Sequence, residues 1–156
     1  MTDVKNTTKD ENTTKDKVVV GVDGSKSSLV ALEWAANYAE VTHLKVRAVS
    51  AYHYPVDYGY AYTLPADIDF AADAKTELLA TIADEKRKHP DVEFEAEIVN
   101  APPAQALIED SENAALLVVG SRGHGGFAGL MLGSVSLHCI SHAHCPVVVL
   151  RGEDHK

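Results

Sequence analysis

Gly120, Gly123, Gly125, Gly126 and Gly133, interleaved with Ser121, Arg122, His124, Ser134, Val135 and Ser136, are the residues whose types and spacing suit capture of a phosphate. Glycines let main-chain N–H groups approach an oxyanion and allow the φ > 0 geometries of anion-binding nests. Ser134 and Ser136 each offer a hydroxyl. A helix beginning at Gly133-Ser134 adds outward amides and a dipole worth roughly 0.3–1 kcal/mol per interaction. Arg122 carries a guanidinium fork that suits phosphate oxygens, although its backbone N–H is the more dependable contact. His124 contributes less, because an imidazole is mostly uncharged at neutral pH. The stretch lacks the Lys-Ser/Thr ending of a P-loop, and no paired carboxylates flank it. Slow hydrolysis or nucleotidyl transfer is therefore the most catalysis it supports, and efficient turnover is not expected.

Such a loop needs a strand to launch it and a helix to receive it. Leu116 to Val119 is a continuous apolar run, the habit of a strand buried on both faces of a parallel sheet. Lys17 to Asp23 reads as a first strand, ending in a turn at Gly24-Ser25. A helix capped by Ser25 or Ser27 follows, with Leu29, Leu32, Ala36 and Ala39 as its buried stripe. Asp23 then sits at the carboxyl end of a central strand, where open α/β sheets bind ligands; it either caps the turn or faces the base or ribose of a nucleotide. A second strand spans 44–52, with Lys45 and Arg47 at a water-facing start and Ala51 small enough to admit a flat ring. A tyrosine-rich loop at 52–65 is a lid, a partner surface or a self-packed cluster. Helical spacing resumes over 66–89 with a basic end before Pro90. Residues 92–99 alternate apolar and acidic, the pattern of an edge strand with one face in water. A helix over 104–113, the strand 115–120, a helix over 135–143 and a strand over 146–150 complete an α/β chain: a parallel sheet covered on both sides.

The 156 residues suit one domain, with residues 1–16 a polar, repeat-bearing disordered tail, 17–151 the folded body and 152–156 a second tail. A formal net charge of -9 argues against nucleic acid and anionic membrane as partners, so a phosphate must be held by local geometry. Cys139 and Cys145 give no disulfide framework, and no secretory or membrane-spanning run is visible, which together point to the cytoplasm. The apolar last strand calls for cover, most simply its own copy in a homodimer. His138, Cys139, His142, His144 and Cys145 form a candidate metal cluster, with His138 and His142 spaced to share a helix face.

Val19-Val20-Gly21-Val22-Asp23-Gly24-Ser25, the ending Cys145-Pro146-Val147-Val148-Val149-Leu150, and the spacing Gly120-x2-Gly123-x9-Gly133-Ser134 resemble a universal stress protein domain of the ATP-binding branch. The resemblance runs from Lys17 to Arg151 and explains the histidine and cysteine segment as structure, so no protein metal site is expected. It implies an open five-stranded Rossmann-like sheet of order 3-2-1-4-5, similar to adenine nucleotide alpha hydrolases. It further implies adenine and ribose near Gly21, Val22, Asp23 and Ala51, with Val49 as the alternative to Ala51. Phosphates would lie along Gly120 to Gly126 and on Ser134, Val135 and Ser136, and magnesium or manganese would bridge them. The expected function is binding of ATP as a regulatory or structural ligand in a stress response. The alternatives are a slow ATPase or nucleotidyl-transfer enzyme, and a dimeric interaction module that binds no nucleotide. A receiver with Asp23 as phosphoacceptor is disfavoured, because no acids cluster beside it.

Overall fold

The computed structural model describes residues 15–52, 69–123 and 132–152. Expectations for residues 1–14, the loop 53–65, the helix start at 66–68, His124, Gly125, Gly126 and residues 153–156 lie outside the described residues.

Among the described residues nine elements alternate: β1 (Lys17–Gly21), α1 (Lys26–Thr42), β2 (Lys45–Tyr52), α2 (Phe70–Lys88), β3 (Phe94–Asn100), α3 (Pro103–Ser111), β4 (Leu116–Gly120), α4 (Ser134–His142) and β5 (Val147–Leu150). The strands form one sheet, all neighbours parallel, in the order β3-β2-β1-β4-β5. Strand parity sorts the core into two layers. Val18, Val20, Val46, Ala48, Leu116 and Val118 pack with Ala31, Leu32, Ala35 and Ala39 of α1 and Leu78 and Ile82 of α2. Val19, Val49, Leu117 and Val119 pack on the other face with Ala106 and Leu107 of α3 and Cys139 of α4. The central strands are apolar at consecutive positions because both faces are covered.

Several boundaries and faces differ from the sequence reading. β1 ends at Gly21, so Val22 and Asp23 belong to the turn. Ser25 is the cap of α1, accepting from Ser28 N at 3.3 Å, and the helix starts at Lys26. Its buried face runs through Ser27, Ser28, Ala31, Leu32, Ala35, Ala36 and Ala39, so Leu32, Ala36 and Ala39 are buried as the spacing predicts, while Leu29 is 41% exposed. Alanines win that face because they let the helix axis approach the sheet closely, which a leucine stripe would not. Asp16, assigned by its polarity to the tail, already takes a bond from Lys45 N at 2.9 Å.

Arg47 is not water-facing. It lies among three carboxylates, with Nε 2.9 Å from Asp110 of α3 and its terminal nitrogens 3.5 Å from Glu95 and from Glu97 of β3. Burial works against its charge, but the Asp110 hydrogen bond and the carboxylates outweigh it, holding the guanidinium above its usual range. The acids that alternate along β3 therefore have a partner on the neighbouring strand. Cross-strand opposite charges contribute roughly 0.2–1 kcal/mol each.

Two backbone features generate measurable expectations. His43 closes α1 in the left-handed region at φ 58. Relieving that conformation is worth about 1–2 kcal/mol, less about 0.4–1 kcal/mol of extra unfolded-chain entropy for glycine. His43→Gly is expected to stabilise the fold by about 0.5–1 kcal/mol, read as a Tm rise of roughly 1–4 °C. Gly120 ends β4 against α1, where an added Cβ would lie 2.8 Å from the Ser27 carbonyl carbon. Gly120→Ala must push backbone apart and is expected to lose about 1–3 kcal/mol in urea denaturation; an unchanged midpoint would show that this contact is soft.

Candidate functional site

The carboxyl ends of β1 and β4 point the same way, and the helices that follow them pack on opposite faces of the sheet, α1 after β1 and α4 after β4. That divergence is the switch point at which doubly wound sheets leave a crevice. A cavity of about 480 Å³ opens there. It is lined by Gly21, Val22, Asp23, Val49 and Ala51 on one side and by Gly120, Arg122, Gly123, Gly133, Ser134, Val135 and Ser136 on the other. Its volume lies in the range typical of small-molecule sites, roughly 300–1,000 Å³.

The turn after β1 is built by short polar side chains. Asp23 Oδ1 accepts from Ser25 N at 2.9 Å, and Asp23 N donates to Ser28 Oγ at 3.3 Å. Ser28 Oγ donates in turn to Ser25 O at 2.9 Å. Gly24 adopts φ 81 to make the bend, a conformation glycine takes without a Cβ penalty. Asp23 thus caps the turn, as its position offered. Oδ1 closes the turn, and Oδ2 lies where a Cβ on Gly123 would sit 2.6 Å away.

The start of the loop after β4 is held by its carbonyls. Ser27 Oγ donates to Arg122 O, tying the loop to α1. Ser121 O accepts from Gly133 N at 2.7 Å and from Ser136 Oγ at 3.1 Å, tying it to α4. Ser121 N donates to Leu150 O at 2.7 Å, tying it to β5. Because C=O and N–H of a trans peptide point in opposite directions, engaging Arg122 O with α1 turns Gly123 N–H away from that helix. Gly133 precedes α4 and provides no side-chain cap to the N–H groups of its first turn.

Two sequence expectations change in detail. Ser121 does not line the cavity; it is 4% exposed and its backbone holds the loop together. Ser136 does line it, but its hydroxyl also donates to Gly133 O at 2.9 Å, so its proton serves the loop rather than a ligand. The choice between Val49 and Ala51 dissolves, since β2 presents both to the cavity. Val49 O also accepts Val22 N at 2.9 Å, which extends the β1–β2 pairing into the turn.

Sequence reading missed the wall given by α3. Pro103 and Leu107 line the cavity beside Gly21, where a Cβ would meet Leu107 Cδ1 at 2.9 Å. Four-residue spacing put Pro103 and Leu107 on one helix face, but nothing in the sequence located α3 over the end of β1. The five-residue histidine and cysteine cluster does not assemble. Cys139 is buried in the second core layer with its thiol pushed up to about 11, chiefly by burial, while His138 and His142 are exposed. Among the described residues no group of three or more His, Cys, Asp or Glu side chains could hold a metal ion, and no helix is long and apolar enough to cross a membrane.

Comparison with known proteins places this geometry. Residues 15–151 match the universal stress protein family. The universal stress protein Rv2623 of Mycobacterium tuberculosis is 32% identical over 142 residues, covering 88% of this chain and 48% of that protein. A universal stress protein of Mycolicibacterium smegmatis is 36% identical over 135 residues, covering 86% of this chain and 45% of that one. The chain therefore spans about half the length of these curated relatives. Among solved structures, a universal stress protein crystallised in complex with cAMP superposes with TM-score 0.64 at 28% identity, covering 89% of this chain and 98% of that chain. This chain belongs to the universal stress protein family.

Proposed function

We propose that the cavity between β1 and β4 binds an adenine nucleotide, ATP with magnesium or manganese bridging its phosphates, as a regulatory or structural ligand in a cytoplasmic stress response. The observation that carries the reading is the convergence of Gly120, Gly123 and the uncapped start of α4 on the same cavity as Asp23 and the small, apolar Val22, Val49 and Ala51. A solved relative at 28% identity holds cAMP, which supports an adenine ligand class. Apolar walls accommodate a flat base, and the Asp23 carboxylate suits ribose hydroxyls. The polyanion would meet the main chain of Arg122 and Gly123 and the first turn of α4.

The residues fit that group. An added Cβ on Gly133 would lie in ordinary contact, 3.5 Å from Arg122 Cα and from Ser121 O, at the cavity wall beside the main chain that would meet the phosphates. With Ser136 engaged inward, Ser134 is the hydroxyl available to an oxyanion. A hard cation would be held by phosphate oxygens rather than by a cage of side chains. A second copy of the chain is the proposed cover for β5, which pairs with β4 along one edge only.

Saturating MgATP at about 100 times Kd is expected to stabilise the protein by about 2.7 kcal/mol, a Tm rise of roughly 5–11 °C. Gly133→Val should fold with a similar unliganded Tm, since its Cβ finds only ordinary contacts, and should lose most of that rise. A parent protein that ignores ATP, ADP and AMP alike, or a Gly133→Val variant that responds as the parent does, overturns the reading. Phosphate release on the order of 1 per second or faster would replace a ligand with a substrate. Light scattering at micromolar concentration is expected to give twice the monomer mass, and a monomer there removes the homodimer.

A further inference from the structure

The outer face of α4 presents two imidazoles that nothing in the nucleotide reading uses. His138 and His142 are four residues apart, both exposed, with ring centroids 6.4 Å apart and planes inclined by 34°. His138 Nδ1 lies 2.9 Å from Ser134 O. A carbonyl only accepts, so in the neutral ring Nδ1 carries the proton and Nε2 keeps its lone pair for a ligand. A backbone carbonyl on the second nitrogen is the arrangement that orients metal-bound histidines and raises their basicity.

We propose that His138 and His142 form a two-imidazole chelate for a borderline divalent transition metal such as nickel, copper or zinc, on the solvent face of α4. Histidines at i and i+4 project to one side of a helix, the spacing by which helical pairs hold zinc. Metal–nitrogen bonds of about 2.0–2.1 Å require the two rings to close by about 1 Å, a small rotation for exposed side chains. Imidazole selects these metals over magnesium, so the site does not compete for the cation that would accompany a nucleotide.

The surroundings favour a cation. His142 lies in the last turn of α4, where the helix dipole favours positive charge, and the chain carries a net charge of -9. The site is bidentate, with water completing the coordination. Cys139 points into the core, Cys145 packs against the same buried layer, and His144 is placed 3.7 Å from Glu112 rather than beside the pair. That is why a closed site of three or more ligands fails here while a chelating pair remains.

The test uses the full chain without an affinity tag, titrated with nickel chloride by calorimetry and with substoichiometric copper in 1H–15N spectra. The expected result is saturable one-to-one nickel binding and copper broadening centred on residues 134–144. His138→Ala and His142→Ala should each weaken nickel binding about tenfold or more, while His144→Ala and Cys145→Ser stay within about twofold of the parent. Both histidines are exposed, so far-UV circular dichroism should confirm an unchanged fold. Broadening centred elsewhere, or either alanine variant binding nickel as the parent does, overturns the chelate.

Discussion

The candidate site depends on where two carbonyl oxygens go. Ser121 O and Arg122 O sit at the end of a buried strand, in a loop with little side chain to anchor it. They are held by α4 and by Ser27 of α1, respectively. Buried main-chain polar groups must find partners, and an unmade bond there costs about 1–3 kcal/mol. Three separate elements therefore converge on Ser121 and Arg122. Moving any of them would strand a carbonyl or an amide. Ser121 and Arg122 are thus held by the protein's own hydrogen bonds, and main-chain groups held in this way bind without a further ordering cost.

The same economy of side chains runs through the layers beneath. Alanines on the inner face of α1 bring its N-terminus close to β4, and glycine at position 120 removes the last obstruction to Ser27. Gly21 does the equivalent for Leu107, so α3 can lean over the end of β1 and wall one side of the cavity. The crevice is thus bounded by helices that approach closely on both faces of the sheet. Leucine or valine at these glycine and alanine positions would hold the helices off and open the crevice to water.

Much of this was legible in the sequence, for identifiable reasons. Leu116 to Val119 and Val18 to Val20 are apolar at successive positions, which only a doubly covered strand explains. Strand order came from the family resemblance and could not have come from periodicity, which says nothing about which strand is whose neighbour. The sequence was silent on long-range pairing of polar groups. Arg47 looked like a solvated lysine-like position until β3 and α3 brought Glu95, Glu97 and Asp110 to it. Ser136 looked like a ligand contact because its hydroxyl was assigned without knowing that Ser121 O and Gly133 O lay in reach. Leu29 was placed inside by its helical spacing with Leu32, Ala36 and Ala39; those three are buried, but Ser28, Ala31 and Ala35 share their face and turn Leu29 to its margin.

Charge sets the remaining constraint on what this site can be. A body with net charge -9 gives no long-range attraction to a polyanion, so association cannot rely on steering by the whole protein. In the proposed nucleotide reading, affinity would come from short-range donors and from a cation bound to the phosphates. Main-chain amides at fixed positions provide such donors, and they do so without the flexible positive charge that stabilises a transferring phosphoryl group. Within the described residues, Arg122 is the one cationic side chain that borders the cavity. An arrangement of that kind discriminates by shape and grips the ground state. For the proposed nucleotide ligand, that arrangement favours sensing its presence over turning it over.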